Sequence, residues 1–270
     1  MNKIFGIVVA VILFLTSCGG TDAGTGDKSA IDVSVKFSGD KMIYGLACDG
    51  CNDSIIVFLP NEGGDPVIYN IVDAMKNKQV FGNPDIGDWV GLMINQDDST
   101  VVDMVIDLDQ LKGTWTYQVM PTLRENTVKS EKEIISELTD SMRAHLFIPR
   151  EYGFTLKRHH RASPVGMVYR TNSLVDDGLV EYPPVPRYSE WHTWNGMLIL
   201  TCDTLDKDKK PLPSSQIQRD TMSFVMMDGD TLALRMGNKV IGFHRQENAM
   251  VANKKANDVA IQKAKADTIR

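Results

Sequence analysis

Four cysteines in 270 residues are too few for a disulfide framework, and their spacing builds no obvious metal centre. A structural zinc site needs four ligands. Cys48 and Cys51 could supply two, but beyond them and Cys18 there are only Cys202 and five scattered histidines, none at ligand spacing to another. No metal and no cofactor is therefore expected. Also missing are GxSxG, HExxH, a P-loop and a dinucleotide-binding glycine fingerprint, so no catalytic residue is assigned and an enzyme is not the expectation. Asp97-Asp98 and Asp228-Gly229-Asp230 lack the ligand spacing of a calcium loop and read as turns. Arginine is absent from residues 36–111, where four lysines face thirteen acidic residues, a balance of −9. Such a surface repels phosphate backbones, which excludes nucleic acid as a partner of that segment. After Leu15 no apolar run has the length of a membrane-spanning helix.

The chain begins MNKIFGIVVAVILFLTSCGG, with Lys3 ahead of an apolar run from Ile4 to Leu15. That run is too short for a permanent span and has the length of a secretory h-region. Leu15-Thr16-Ser17-Cys18 resembles the lipobox of bacterial lipoproteins. The resemblance implies a signal peptide over 1–17, cleavage before Cys18 and acylation of that residue, for example by palmitate. Acyl chains anchor firmly, because each buried CH₂ contributes about 0.8 kcal/mol. The expected location is the cell envelope, lipid-anchored, with the outer membrane favoured over the inner. Residues 18–35 are small and polar, without periodicity, and read as a flexible tether.

Charge divides the chain beyond the tether. From residue 112 to 246, 18 basic residues meet 16 acidic ones, a balance of +2. The break near Leu111 marks an expected boundary between two units, 36–111 and 112–246.

In the first unit, KMIYGLAC, DSIIVFLP, PVIYNI, DWVGLMIN and VVDMVIDL are rich in β-branched, methionine and aromatic residues and are bounded by turn signals. VDAMKNKQ, between the third and fourth, is the one helix-compatible piece. Five strands with a helix after the third are similar to an OB-type barrel, a likeness of architecture that carries no activity. Asp49-Gly50 predicts a two-residue type I′ hairpin flanked by Cys48 and Cys51. The cysteine pair can then be a disulfide or inert thiols at the turn, a metal or partner-bridged site, or a redox dithiol. No helix follows Cys51 to lower a thiol pKa, which favours the first.

The second unit opens with Gly113-Thr114-Trp115 and closes about 130 residues later with Phe243-His244-Arg245. These resemble the GxW opening and aromatic-x-Arg close of lipocalin-like domains, as carried by small lipoproteins of Gram-negative gut anaerobes. The resemblance implies an antiparallel β-barrel whose closed end is sealed by Trp115 under Arg245, a cation–π pair. It covers residues 112–246. TWTYQVM, YGFTLKRH, PVGMVYRT, LVEYPP, NGMLILTCD, MSFVMM and TLALRM supply further strands. SEKEIISELTDSMRAHL predicts one amphipathic helix, with Ser130 and Glu133 as a capping box.

Two polar or aromatic runs are candidate sites. Lys157 to Arg161, read as strand, offers Arg158 and His160 to an anion, while half of the run is solvated on the opposite face. The segment YSEWHTWNG, read as a loop, places Tyr188, Trp191, His192 and Trp194, with Tyr182 nearby in the chain, as a ligand-binding cluster. Cys202, in an apolar strand, reads as a buried thiol. Residues 247–270 read as a helical or disordered tail.

The expected molecule is a mainly β lipoprotein with a small OB-like barrel and a lipocalin-like barrel that binds a small apolar or amphipathic molecule without catalysis. The alternative is an assembly lipoprotein that holds an envelope protein through its acidic first unit.

Overall fold

The computed structural model describes residues 38–124, 131–166, 179–202 and 216–246. Cys18, the tether, Ser130 and the 247–270 tail lie outside them. No helix among the described residues is long and apolar enough to cross a membrane.

The first part of the chain runs β1 (Ile43–Ala47), β2 (Ile55–Pro60), β3 (Val67–Asn70), α1 (Val72–Lys76), β4 (Val80–Phe81), β5 (Trp89–Ile94), β6 (Val102–Asp107) and α2 (Leu108–Leu111). All five anticipated strands form, and a sixth, the two-residue β4, lies parallel to β6. The sheet order is β3-β2-β1-β5-β6-β4. A single parallel bridge joins Asn70 at the end of β3 to Val101 just before β6, where the Asn70 amide donates to the Thr100 carbonyl at 2.9 Å. Alternation buries Ile56 and Phe58 from β2 and Val90 and Leu92 from β5 on one face.

The second part runs β7 (Gly113–Val119), β8 (Thr122–Leu123), α3 (Glu131–Glu137), α4 (Asp140–Leu146), β9 (Arg150–Leu156), β10 (Ala162–Val165), β11 (Val180–Glu181), β12 (Tyr188–Trp194), β13 (Met197–Cys202), β14 (Arg219–Asp228), β15 (Thr231–Met236) and β16 (Lys239–Gln246). Eight of these strands form one antiparallel sheet in the order β10-β9-β7-β16-β15-β14-β13-β12. Its two edges meet at the Arg161–Glu190 bridge, and the Trp191 amide donates to the His160 carbonyl at 2.8 Å. The sheet is thereby a nearly closed barrel.

Three expectations are corrected. YSEWHTWNG is not a loop: it is strand β12, with Trp191 and Thr193 buried in alternation with outward Glu190 and His192. Lys157 to Arg161 is not a strand. It turns the chain from β9 to β10, with His159 and His160 in the left-handed region (φ 58° and 54°) and the Lys157 amide donating to the Arg161 carbonyl at 2.8 Å. The single helix is two: Thr139 takes an extended conformation and its hydroxyl accepts the Met142 amide, which starts α4 afresh.

The two sheets share a core. Met42, Phe81, Ile106, Leu108 and Leu111 belong to the same buried cluster as Trp115, Phe224, Met227 and Leu232. Phe81 and Phe224 stand 5.3 Å apart between ring centroids, and the Gly82 amide donates to the Met227 carbonyl at 2.9 Å. At the other side of the seam the buried Asp40 carboxylate accepts from the Met42 amide, the Tyr44 hydroxyl and the Asn195 amide at 3.1, 2.5 and 2.9 Å. Gly196, in the β12–β13 turn, takes φ +75°, a left-handed conformation that favours glycine.

Candidate functional site

The two ends of the barrel differ in chemistry. At the end facing the first sheet, Trp115 is fully buried and its Nε1 donates to the Leu111 carbonyl at 2.8 Å. The Arg245 guanidinium carbon stands 4.2 Å over the Trp115 ring. Nη1 of Arg245 donates to the Lys112 carbonyl at 3.0 Å, Nη2 donates to the Gln110 carbonyl, and Nε lies 3.5 Å from Asp230. Gly113 has φ +139°, and a Cβ there would lie 2.4 Å from Arg245 Nη1. The glycine of the GxW opening thus clears space for the arginine.

Above this seal the described side chains pack closely. Leu198, Leu200, Leu232 and Leu234 are at most 1 % exposed, and the Phe154 and Phe243 rings stand 5.1 Å apart between centroids. Among the described residues, large side chains from β9, β13, β15 and β16 meet along the barrel axis.

The opposite end is polar. The register pairs Asp220 with Leu200, which puts the carboxylate on the inward face of β14. The Tyr188 hydroxyl donates to Asp220 Oδ2 at 2.6 Å. Burial first, then this bond, holds the Tyr188 phenol far above its ordinary range. Tyr117 is half-buried edge-on to Phe243, at 5.1 Å, and is raised by burial and by the Asp220 charge. Among the described residues no cationic side chain forms an ion pair with Asp220.

The chain leaves β7, enters β9 and enters β12 at this end, and the intervening elements form a cap. β8 and β11 pair as a two-stranded ribbon, and Val180 packs with Leu138 and Leu146 of the helical segment. The Tyr152 hydroxyl donates to the Pro183 carbonyl at 2.9 Å and the Tyr182 hydroxyl to the Ile148 carbonyl at 2.5 Å. Arg150 stacks 3.5 Å over the Tyr182 ring.

The anticipated aromatic cluster is therefore split. Tyr182 and Tyr188 reach the polar end. Trp191 belongs to the core and donates from Nε1 to the Lys157 carbonyl at 2.8 Å. His192 faces outward, where burial and the nearby His160 and Arg219 charges push it down to about 4. Trp194 lies at the seam and donates to the Ser38 carbonyl at 3.3 Å. Alternation along β12 sends neighbours to opposite faces, which no loop would do. Arg158 is exposed, while His160 turns to the barrel wall, with Nδ1 3.2 Å from the Trp191 carbonyl oxygen.

Among the described residues Cys48, Cys51 and Cys202 form no disulfide, and Cys202 is half-buried where a buried thiol was expected. The hairpin expected at Asp49-Gly50 is longer than two residues, with β2 starting only at Ile55. Positive φ is confined to Gly50, at +99°, so the turn is not type I′. Cys51 consequently does not oppose Cys48 across a ladder; its thiol turns inward to the Cys48 carbonyl at 3.1 Å. No group of three or more His, Cys, Asp or Glu among the described residues could hold a metal ion.

Asp220, Tyr117 and Arg150 were not singled out from sequence. The alternation of β14 traced back from Phe224 and Met222 does lead to Asp220 on the same face, so a signal existed.

No family model matches the chain, and no curated protein matches it. Among solved structures, a lipocalin-like protein from Bacteroides thetaiotaomicron VPI-5482 is similar at 18 % identity, over 50 % of this chain and 95 % of that one, with a TM-score of 0.24.

Proposed function

We propose that the protein is a lipoprotein anchored in the cell envelope through acylated Cys18, and that its eight-stranded barrel binds a small amphipathic molecule at the polar end, under the cap. The observation that carries this is Asp220. A carboxylate on the inner wall, bonded to Tyr188 and beside Tyr117, presents acceptor oxygens to a ligand that can donate, and among the described residues no cation is ion-paired to it. The ligand then has an apolar body resting on the filled floor of Phe154 and Phe243, and an ammonium or hydroxyl head donating to Asp220. The barrel, with its GxW opening and closing arginine, supports a lipocalin-like reading of 112–246. For 36–111, the strand order and the Asn70–Val101 bridge support an OB-type reading.

Calorimetric titration of the full chain with dodecylamine and with dodecanoate tests the binding site. The amine binds and the acid does not, and Asp220→Asn weakens the amine roughly 10-fold or more, as for a charged hydrogen bond. Equal binding by wild type and Asp220→Asn, or no binding of the amine, sinks the reading. The second reading, assembly with an envelope protein, is favoured by one observation: Ile68 of the sheet-edge strand β3 is 61 % exposed, beside Val67 at 40 %.

A further inference from the structure

We propose that Cys48 and Cys51 form a two-thiolate site for a soft monovalent metal ion, with Cu(I) as its probe. Both thiols are free and partly exposed. One residue of β2 meets both cysteines: the Cys48 amide donates to the Val57 carbonyl at 2.8 Å, and the Val57 amide donates at 3.3 Å to the Cys51 sulfur, which lies 3.1 Å from the Cys48 carbonyl oxygen. The thiolate is the form that binds metal. The left-handed Gly50 folds the four-residue segment so that the two cysteines leave the same turn.

Cys51 also lines a cavity of about 180 Å³ whose walls include Ile55, Ile56, Ile71 and Val105, together with Met75. A thioether on the same cavity is a third soft donor, beside the harder oxygen donors of Asn52, Asp53 and Asn83. Soft sulfur ligands select Cu(I). Zinc would demand four ligands, and only two cysteines stand here. A thioredoxin-like redox role would want Cys48 at a helix N-terminus, whereas Cys51 leads into strand β2. Binding is balanced without electron transfer: Cu⁺ replaces the two thiol protons, giving a bis-thiolate complex of charge −1 and releasing two H⁺.

The test is Cu(I) titration of the reduced full chain under anaerobic conditions, in competition with bicinchoninate at neutral pH. Wild type and Cys202→Ser are expected to hold one Cu(I) each, and the double variant Cys48→Ser/Cys51→Ser to bind roughly 100-fold more weakly, because the chelate is gone. Equal affinity in wild type and the double variant overturns the proposal, as does loss of the site in Cys202→Ser alone. Should the double variant fail to fold, copper-edge X-ray absorption of the loaded wild type decides. Sulfur neighbours support the site, and a shell of only nitrogen and oxygen overturns it.

Discussion

Asp107 is fully buried at the start of α2. Its Oδ1 accepts the Asp109 and Gln110 amides at 3.0 and 2.9 Å, and its Oδ2 has no hydrogen-bond partner. Burial, reinforced by the Asp88 and Asp109 charges and opposed by the two amides, pushes it up to about 6. Arg245 is the cation that senses its charge. A carboxyl raised in the folded state contributes stability that is complete below its unfolded pKa near 4 and is lost as pH rises through 6, on the order of 3 kcal/mol. His192 has the opposite slope: depressed from 6.5 to about 4, it contributes stability above pH 6.5 that is lost as pH falls through 4. Urea unfolding from pH 4 to 8 checks both. Relative to wild type, Asp107→Asn is expected to gain stability towards pH 8 and His192→Gln towards pH 4. Parallel curves for wild type and Asp107→Asn would refute the assignment. Neither slope was legible in the sequence, where Asp107 is one acid among thirteen. Trp115 and Arg245 were legible because the GxW opening and the closing arginine stand at the two ends of the unit.

Elements with a regular period were readable, and those set by a neighbour were not. IIVFLP and TLALRM alternate on their own and form β2 and β15 as expected. β12 was missed because tryptophans on both faces of YSEWHTW hide its period. Its Trp191 goes to the core and its Trp194 to the seam with Ser38, and only the second sheet edge makes it a strand. Lys157 to Arg161 misled in the other direction: left-handed conformations at two adjacent histidines have no composition signal. The β7–β9 pairing rests on Gly153, where a Cβ would lie 1.8 Å from the Trp115 carbonyl oxygen. Gly153→Ala is expected to cost about 3 kcal/mol or more, since backbone cannot yield as a side chain does. Gly242→Ala, on β16 with nothing within 4 Å, is the control and is expected to be near neutral. Thermal unfolding of the two variants distinguishes them, and equal midpoints would remove Gly153 from that role.

For the whole molecule, the charge break at Leu111 and the packing tell different stories. The sign of the surface changes at Leu111, yet Met42, Phe81, Ile106, Leu108 and Leu111 bury themselves with barrel residues. A fragment of residues 36–111 would expose this apolar face and the Asp40 acceptors of the Asn195 turn. It is expected to show no cooperative urea transition by circular dichroism, while the full chain unfolds with one midpoint by circular dichroism and tryptophan fluorescence. A cooperative fragment would restore the reading of two autonomous units. By itself the sequence determined the mainly β class, most strand positions and the Trp115–Arg245 ends, because these depend on side-chain period and on residue types that act locally. The tertiary structure decided that the barrel floor is filled, that Asp220 and Tyr188 meet at its polar end, and that one core spans both sheets. Those outcomes depend on which distant faces are pressed together, and residues 32 apart in the chain, like Tyr188 and Asp220, carry no local trace of their hydrogen bond.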